Sequence, residues 1–509
     1  MSEVAVSSQL VVSEGIIAAR TLDRSLVHGL VWTAGGKWAT QALSWASWLI
    51  VARLLTPEDY GLVGMAGIYL GLITLLSEFG LGVAVLTFRD LSLEQLAQLN
   101  GLALLLGLGC LLASCALAIP LGHFFRATQL PLVVVVMSTT FVIASFKTVP
   151  LALLQRDLRF KTIALIDAGQ ALVLATSMVG FALAGFRYWT LVLGGVLGAL
   201  ISTGAMLKLR HAPLAWPRIE SLKRTMTLSS DVLISRLCWY AYSNADFLVA
   251  GRILGKTALG FYNCAWTLAN LPVEKVTTLV GQVTPAIFSA VQTQHSAIRR
   301  YVLGITEGIS LMIFPVSLGL VLVAKDFVFV VLGSKWEGAT VPLQLLAAYA
   351  GFRSITPLLA QVLLAIKDSK FVMWNSVTSA IVMPISFYFA GSRWGTIGLG
   401  VVWIMVYPLI ASMFFWRVFR KIELPLRAYM GALWPALSGT ILMAAVVLAV
   451  RASGGRDWSR GFRLAAEVAS AVIVYVLTCL LVHRQRLRRF WELVMTAPLR
   501  SDPASMDRG

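Results

Sequence analysis

The sequence predicts an all-α integral membrane protein of about fourteen transmembrane helices: two pseudo-symmetric six-helix lobes around a central cleft, plus two C-terminal helices. Three observations predict it, namely the composition, a succession of apolar segments of spanning length, and an internal repeat. Of 509 residues, 58% are hydrophobic and 13% charged, whereas soluble domains run at roughly 45–50% and about 25%. Too few polar residues remain to clothe a water-facing surface. That balance excludes a soluble enzyme, a disordered scaffold and a disulfide-rich secreted domain. It also excludes a nucleic-acid partner, despite a net charge of +18.

A helix crossing the hydrocarbon core takes about 20 mostly apolar residues. Segments of that kind fall near 29–52, 61–86, 96–120, 131–154, 162–185, 188–207, 228–251, 258–287, 301–324, 341–366, 371–390, 395–416, 429–450 and 464–482. Runs such as Gly101–Pro120 are apolar all round and lack the alternation of a barrel strand, so helices are the spanning structure that fits. Lys and Arg then set the orientation, because cytoplasmic loops carry the excess. With the N-terminus inside, 25 of the 42 cations lie in cytoplasmic tails and loops, including Lys208, Arg210, Arg218, Lys223 and Arg224, and 12 lie in outer loops. Both termini are expected on the cytoplasmic side. The first cation is Arg20, so the N-terminus does not resemble a cleaved signal peptide. The expected organisation is an N-terminal tail (1–25), a first lobe (26–207), an inter-lobe loop (208–227), a second lobe (228–416), two extra helices (417–482) and a basic tail (483–509).

The two halves match without gaps. Ala52-Arg53-Leu54-Leu55 through Tyr60-Gly61-Leu62 lies over Gly251-Arg252-Ile253-Leu254 through Leu259-Gly260-Phe261, an offset of 199 positions that also sets Lys37 on Arg236. At an offset of 206, Phe146-Lys147-Thr148-Val149 lies over Phe352-Arg353-Ser354-Ile355, with Pro150 and Pro357 following. Six helices is an even number, so the repeat is parallel, with its axis along the membrane normal.

Five cations remain inside the spans: Lys37, Lys147, Arg236, Lys275 and Arg353. Each costs on the order of 2.5–3.5 kcal/mol at mid-membrane and should face a water-filled cavity or a partner. Two accounts fit. In one, acids of similar depth clamp them: Lys275 beside Glu274, and Arg236 near Asp231 or Asp246. In the other, the repeat-related pairs Lys37/Arg236 and Lys147/Arg353 line the cleft and bind an anion. Phosphate suits them, since Arg offers bidentate donors and Lys a point charge. Arg53 and Arg252, at the outer ends of their spans, fit helix-end support and interfacial snorkelling, or phosphate contact at the outer gate. Glu78, Asp246 and Asp167 are candidates for ion coupling, because a carboxylate in a cleft can gain or lose a proton as access alternates.

The remaining features read as structure. Cys110, Cys115, Cys238, Cys264 and Cys479 lie in apolar runs without metal-ligand spacing and read as small buried hydrophobes. Pro150, Pro272, Pro315, Pro357 and Pro384 can kink their helices, and Trp189, Trp336 and Trp394 read as interfacial anchors. No nucleophile elbow, P-loop or metal-binding motif is present, so no catalytic residue, metal or cofactor is assigned. Transport would draw on an ion gradient or on the substrate's own gradient.

Several of these segments carry a family resemblance. Ala52-Arg53-Leu54-Leu55-Thr56-Pro57-Glu58-Asp59-Tyr60-Gly61-Leu62 followed by Ser77-Glu78-Phe79-Gly80-Leu81-Gly82 resembles the first helical pair of the Wzx-type oligosaccharide flippases, within the polysaccharide transporter family of the MOP exporter superfamily. Val149-Pro150 through Leu154-Gln155-Arg156-Asp157-Leu158-Arg159-Phe160-Lys161 is similar to that family's loop after the fourth helix. Asp246 through Gly255, Leu259-Gly260-Phe261-Tyr262, Ala269-Asn270-Leu271-Pro272 and Leu332-Gly333-Ser334-Lys335-Trp336 extend the likeness, which covers about residues 25–420. The resemblance implies a fold shared with multidrug exporters and the lipid II flippase, in a bacterial inner membrane. It implies movement of an undecaprenyl-pyrophosphate-linked oligosaccharide to the periplasmic leaflet for exopolysaccharide or lipopolysaccharide synthesis, with membrane lipids, a polysaccharide polymerase and export machinery as partners. The family's cationic lumen falls here on Lys37, Lys147, Arg236 and Arg353. The alternatives are a multidrug exporter of the same fold, a membrane glycan polymerase or ligase, and a membrane scaffold.

Overall fold

A computed structural model describes residues 40–78, 81–87, 91–157, 159–210, 213–218, 237, 239–454 and 458–484. In the first half, residues 40–54 form α1, followed by α2 (Pro57–Glu78), α3 (Leu81–Thr87), α4 (Leu93–Phe125), α5 (Leu130–Arg156), α6 (Phe160–Leu183) and α7 (Trp189–Leu209). The second half holds α8 (Ala245–Val249), α9 (Gly255–Ala290), α10 (His295–Phe327), α11 (Thr340–Arg353), α12 (Thr356–Ala365), α13 (Ser369–Lys421), α14 (Leu426–Gly454) and α15 (Arg460–Leu481). The described residues are mostly helical, with no strand among them, and their helices fall over the apolar segments. Eight are long and apolar enough to cross a membrane by length and composition.

Two helix starts are written plainly in the sequence as capping boxes. At α2, Thr56 Oγ1 accepts from Asp59 N (3.3 Å), while the Asp59 carboxylate accepts from Thr56 N at 3.0 Å. Pro57 occupies the first helical position, where a missing N–H costs nothing. At α4, Ser92 Oγ accepts from Gln95 N (3.2 Å) and Gln95 Oε1 accepts from Ser92 N (2.9 Å). Glycine supplies the sharp breaks. Gly255 (φ +85°) and Gly333 (φ +97°) each close a short π-helical turn, Ala250–Leu254 and Val328–Leu332. Gly395 (φ +60°) divides α13 into two arms over the apolar segments 371–390 and 395–416. The arms pack together, with Asn375 Nδ2 donating to the Ile410 carbonyl at 3.2 Å.

The chain forms two compact units. The first comprises Met1–Leu55, Tyr69–Gly122 and Thr128–Ser235. Its core packs α3 and α4 against α5 through Leu81, Val85, Leu99, Ala103, Val149 and Leu153. The segment after α7 crosses α4, where Ala215 N donates to the Ala97 carbonyl at 3.1 Å. A Cβ on Gly101 would lie 2.0 Å from the Ala215 carbonyl oxygen, so only glycine permits that crossing.

The second unit comprises Thr56–Ile68, His123–Ala127 and Arg236–Gly509. A core there joins α9 to α14 through Phe288, Ile298, Val302, Leu359, Phe414, Val418 and Tyr429. The internal repeat is visible here as a reciprocal contact. A Cβ on Gly61 would lie 1.6 Å from the Lys256 carbonyl oxygen, and one on Gly260 would lie 1.9 Å from the Pro57 carbonyl oxygen. Gly61 and Gly260 are repeat equivalents, as are Pro57 and Lys256, so the two helix starts cross about a local pseudo-twofold axis. Glu58 sits on it, bonded to Lys256 (3.1 Å) and to its own equivalent Thr257 (3.5 Å).

The C-terminal helices are tied to α10 by charge. Arg451 holds Glu467 with two 2.8 Å bonds and donates to the Leu322 carbonyl, and Arg463 grips Asp326 from α15. Two expectations are corrected. Trp336 is no interfacial anchor: it is fully buried, edge-on to Tyr60 and Phe261. Among the cysteines, Cys264 and Cys479 are buried as expected, but Cys115 is exposed because α4 turns it outward with its neighbours Leu117 and Ile119. Cys238 lies outside the described residues.

Candidate functional site

Of the expected anion ligands, Lys37 and Arg236 lie outside the described residues, as does Asp231. The side chain of Glu78, last residue of α2, lies outside them too. Lys147 and Arg353 are described, and each is half-buried within its own unit.

Lys147 stands on α5, three residues before Pro150, and its ammonium contacts Ser202 Oγ of α7 at 3.3 Å. A single hydroxyl leaves two of its three donors to other acceptors. Arg353 is the last residue of α11, where the negative end of the helix dipole favours a cation. The helix stops there because Pro357 belongs to the first turn of α12. Pro150 instead sits inside an unbroken α5, so the repeat-related cations differ in their backbone setting.

The Arg353 guanidinium bonds Asn270 Oδ1 and lies over the Trp266 ring, 5.1 Å from its centroid. Among the described residues neither Lys147 nor Arg353 has a carboxylate within 4.0 Å. Among the described residues, then, no acid clamps either member of this pair. Glu274 and Lys275 both stand exposed on α9.

Asp246 is fully buried in the same unit. Its carboxylate accepts from the Tyr262 hydroxyl (2.6 Å), Trp403 Nε1 (2.9 Å) and Phe247 N (2.9 Å). Three donors satisfy a buried carboxylate without a cation. An aromatic bridge joins this acid to Arg353. Trp266 lies 5.5 Å from Trp403, which stacks on Tyr349 at 4.8 Å, and Tyr349 meets Tyr407 edge-on at 5.4 Å. Helical spacing builds the cluster: Tyr262, Trp266 and Asn270 on α9, Tyr349 and Arg353 on α11, and Trp403 and Tyr407 on α13 each repeat at four residues and so share a face. That signal stood in the sequence, but sequence reasoning followed the charged residues alone and missed these aromatic partners.

The other expected residues are dispersed. Asp167 is exposed on α6 and Arg53 is exposed at the end of α1. Arg252 lies over the Phe124 ring at 5.2 Å, an arrangement of cation and interfacial aromatic that fits helix-end support.

This all-helical, charge-bearing membrane architecture has known counterparts. Residues 50–341 match the model of a family described as polysaccharide biosynthesis protein, and the chain belongs to that family. Among its relatives, the lipopolysaccharide biosynthesis protein WzxC of Escherichia coli (strain K12) is 24% identical over 408 residues, covering 77% of this chain and 81% of WzxC. The succinoglycan biosynthesis transport protein ExoT of Rhizobium meliloti (strain 1021) is 22% identical over 487 residues, covering 94% of this chain and 98% of ExoT. The lipid II flippase MurJ, in an inward closed conformation, shares the fold with a TM-score of 0.71 at 11% identity, over 90% of this chain and all of MurJ's.

Proposed function

We propose that the chain translocates an undecaprenyl-pyrophosphate-linked oligosaccharide from the cytoplasmic to the periplasmic leaflet of a bacterial inner membrane, for exopolysaccharide or lipopolysaccharide synthesis. Family membership supports the polysaccharide context, as do relatives named for lipopolysaccharide synthesis and succinoglycan transport. The MurJ-like fold supports a moving membrane scaffold rather than an enzyme. The observation that carries the reading is the pair Lys147 and Arg353, half-buried in apolar helices with a hydroxyl and an amide for company. A cation held so is costly until an anion arrives.

In this reading the pyrophosphate meets a cationic cleft formed by Lys147, Arg353, Lys37 and Arg236. These fixed charges replace the water that the headgroup loses, while the lipid tail stays in the bilayer. Arg353 is pre-oriented by Asn270 and Trp266, so binding orders little that is not already ordered. Alternating access then delivers the cargo to the outer leaflet, where Arg53 and Arg252 offer a second phosphate contact. Asp246 is the foremost candidate for coupling, because a proton on its carboxylate would displace the Tyr262 or Trp403 donor. Glu78 and Asp167 remain secondary candidates. Both termini face the cytoplasm, and a polymerase and export machinery take the product onward.

Deletion of the gene tests this. Lipid-linked oligosaccharide should accumulate on the cytoplasmic leaflet while surface polysaccharide is lost. Normal surface polysaccharide, with no accumulated intermediate, would overturn the proposal.

A further inference from the structure

Helix α9 carries a pattern that the cation argument does not use. Asn263, Thr267, Asn270, Glu274 and Thr278 follow at spacings of four, three, four and four. At about 100° per residue they stay within a stripe roughly 80° wide. From Asn263 to Thr278 the stripe runs roughly 22 Å at 1.5 Å per residue, most of a hydrocarbon core about 30 Å thick. The opposite face is apolar for the same distance: Ala265, Leu268, Pro272, Val276, Leu279 and Val283. Its lower part, Leu279 and Val283, is exposed at 65% and 55%, as a lipid-facing surface would be.

The polar face cannot share that environment. Amides and a carboxylate turned to lipid would lack partners and cost several kcal/mol on the order of those for other buried polar groups. Glu274 and Thr278 are nevertheless exposed, and Asn263 and Thr267 are half-buried. A second observation ties the stripe to the cation assigned above to the phosphate. Asn270, at its midpoint, is the residue that accepts from Arg353.

We infer that this face of α9 is a glycan track: it binds the sugars of the cargo while Arg353 holds the phosphate. The inference rests on the transport reading above and names the part of the substrate that these residues meet. Amide and hydroxyl side chains both give and accept hydrogen bonds, which matches the hydroxyls of a neutral oligosaccharide. Glu274 accepts from sugar hydroxyls and disfavours an acidic sugar beside it. Lys275, the next residue after Glu274, lies about 100° round the helix and outside the stripe.

The test places single cysteines on the two faces of α9, in protein whose native cysteines are replaced, reconstituted in nanodiscs. Thr267→Cys and Thr278→Cys should react with an aqueous methanethiosulfonate, and Leu279→Cys and Val283→Cys should not, because a thiol in lipid stays protonated. Undecaprenyl-pyrophosphate oligosaccharides extracted from cells lacking the chain should slow labelling at Thr267→Cys and Thr278→Cys about tenfold at about ten times their Kd. Sugar-free undecaprenyl pyrophosphate should leave the rate unchanged. Equal labelling of both faces, or equal protection by the two lipids, would overturn the glycan track. The transport reading fails separately, through a deletion strain that accumulates no lipid-linked oligosaccharide.

Discussion

Two groups of cations on the helices of this protein, one at the ends of the C-terminal helices and one within the expected spans, solve the same electrostatic problem in different ways. Arg451 and Arg463 meet carboxylates: Glu467 is wholly buried and held by two 2.8 Å bonds, and Asp326 is gripped from α15. Lys147 and Arg353 meet a serine hydroxyl, an asparagine amide and a tryptophan face. The difference teaches that partial burial alone does not mark a functional charge. The identity of its partner does, because a carboxylate neutralises a cation permanently and a neutral acceptor only orients it.

The largest effect should come from breaking the paired group. Glu467→Ala leaves Arg451 against apolar helices and should cost about 3 kcal/mol, the lower end for a broken buried pair, because Arg451 retains 38% exposure. Thermal unfolding in detergent reads this, and replacing Arg451 by Met in the same chain should restore most of the loss. The equivalent substitution at Arg353, Arg353→Gln, should leave the unfolding temperature close to that of the parent and remove transport.

Asp246→Asn sharpens the comparison from the acid side. The buried acid there is satisfied by neutral donors, so the amide should cost only about 1–2 kcal/mol. Trp403 Nε1 still has the Tyr262 hydroxyl at 3.0 Å. If Asp246 couples transport to protons, this variant should also lose the dependence of export on the pH gradient. A small effect is expected at Ser202→Ala, about 1 kcal/mol or less, with export reduced but not lost, since Ser202 orients Lys147 and does not replace it.

Much of the fold was legible because its signals are local. Apolar segment length placed the helices, and the boxes Thr56-Pro57-Glu58-Asp59 and Ser92-Leu93-Glu94-Gln95 mark helix starts by residue type alone. The repeat, read at an offset of 199, foretold that Gly61 and Gly260 are equivalent. It could not foretell that each would cover the other's helix start, because that is a property of packing. The site was legible only as isolated charges. Asp246 finds Tyr262 and Trp403 across 16 and 157 positions, separations that no spacing rule reaches. Trp336 was misread for the opposite reason: a tryptophan near a span end has the same local signal whether it anchors at lipid or fills a core, and here it packs under Tyr60 and Phe261.

The most direct test of the central claim is export from cells in which Lys147→Gln and Arg353→Gln are combined, with the membrane level of the protein held equal to the parent. If the two cations receive the phosphate of the cargo, surface polysaccharide should fall by tenfold or more, the effect of losing about 1.4 kcal/mol or more of headgroup binding. Lipid-linked oligosaccharide should build up on the inner leaflet. Export at the parental level from a well-folded double variant would contradict the account.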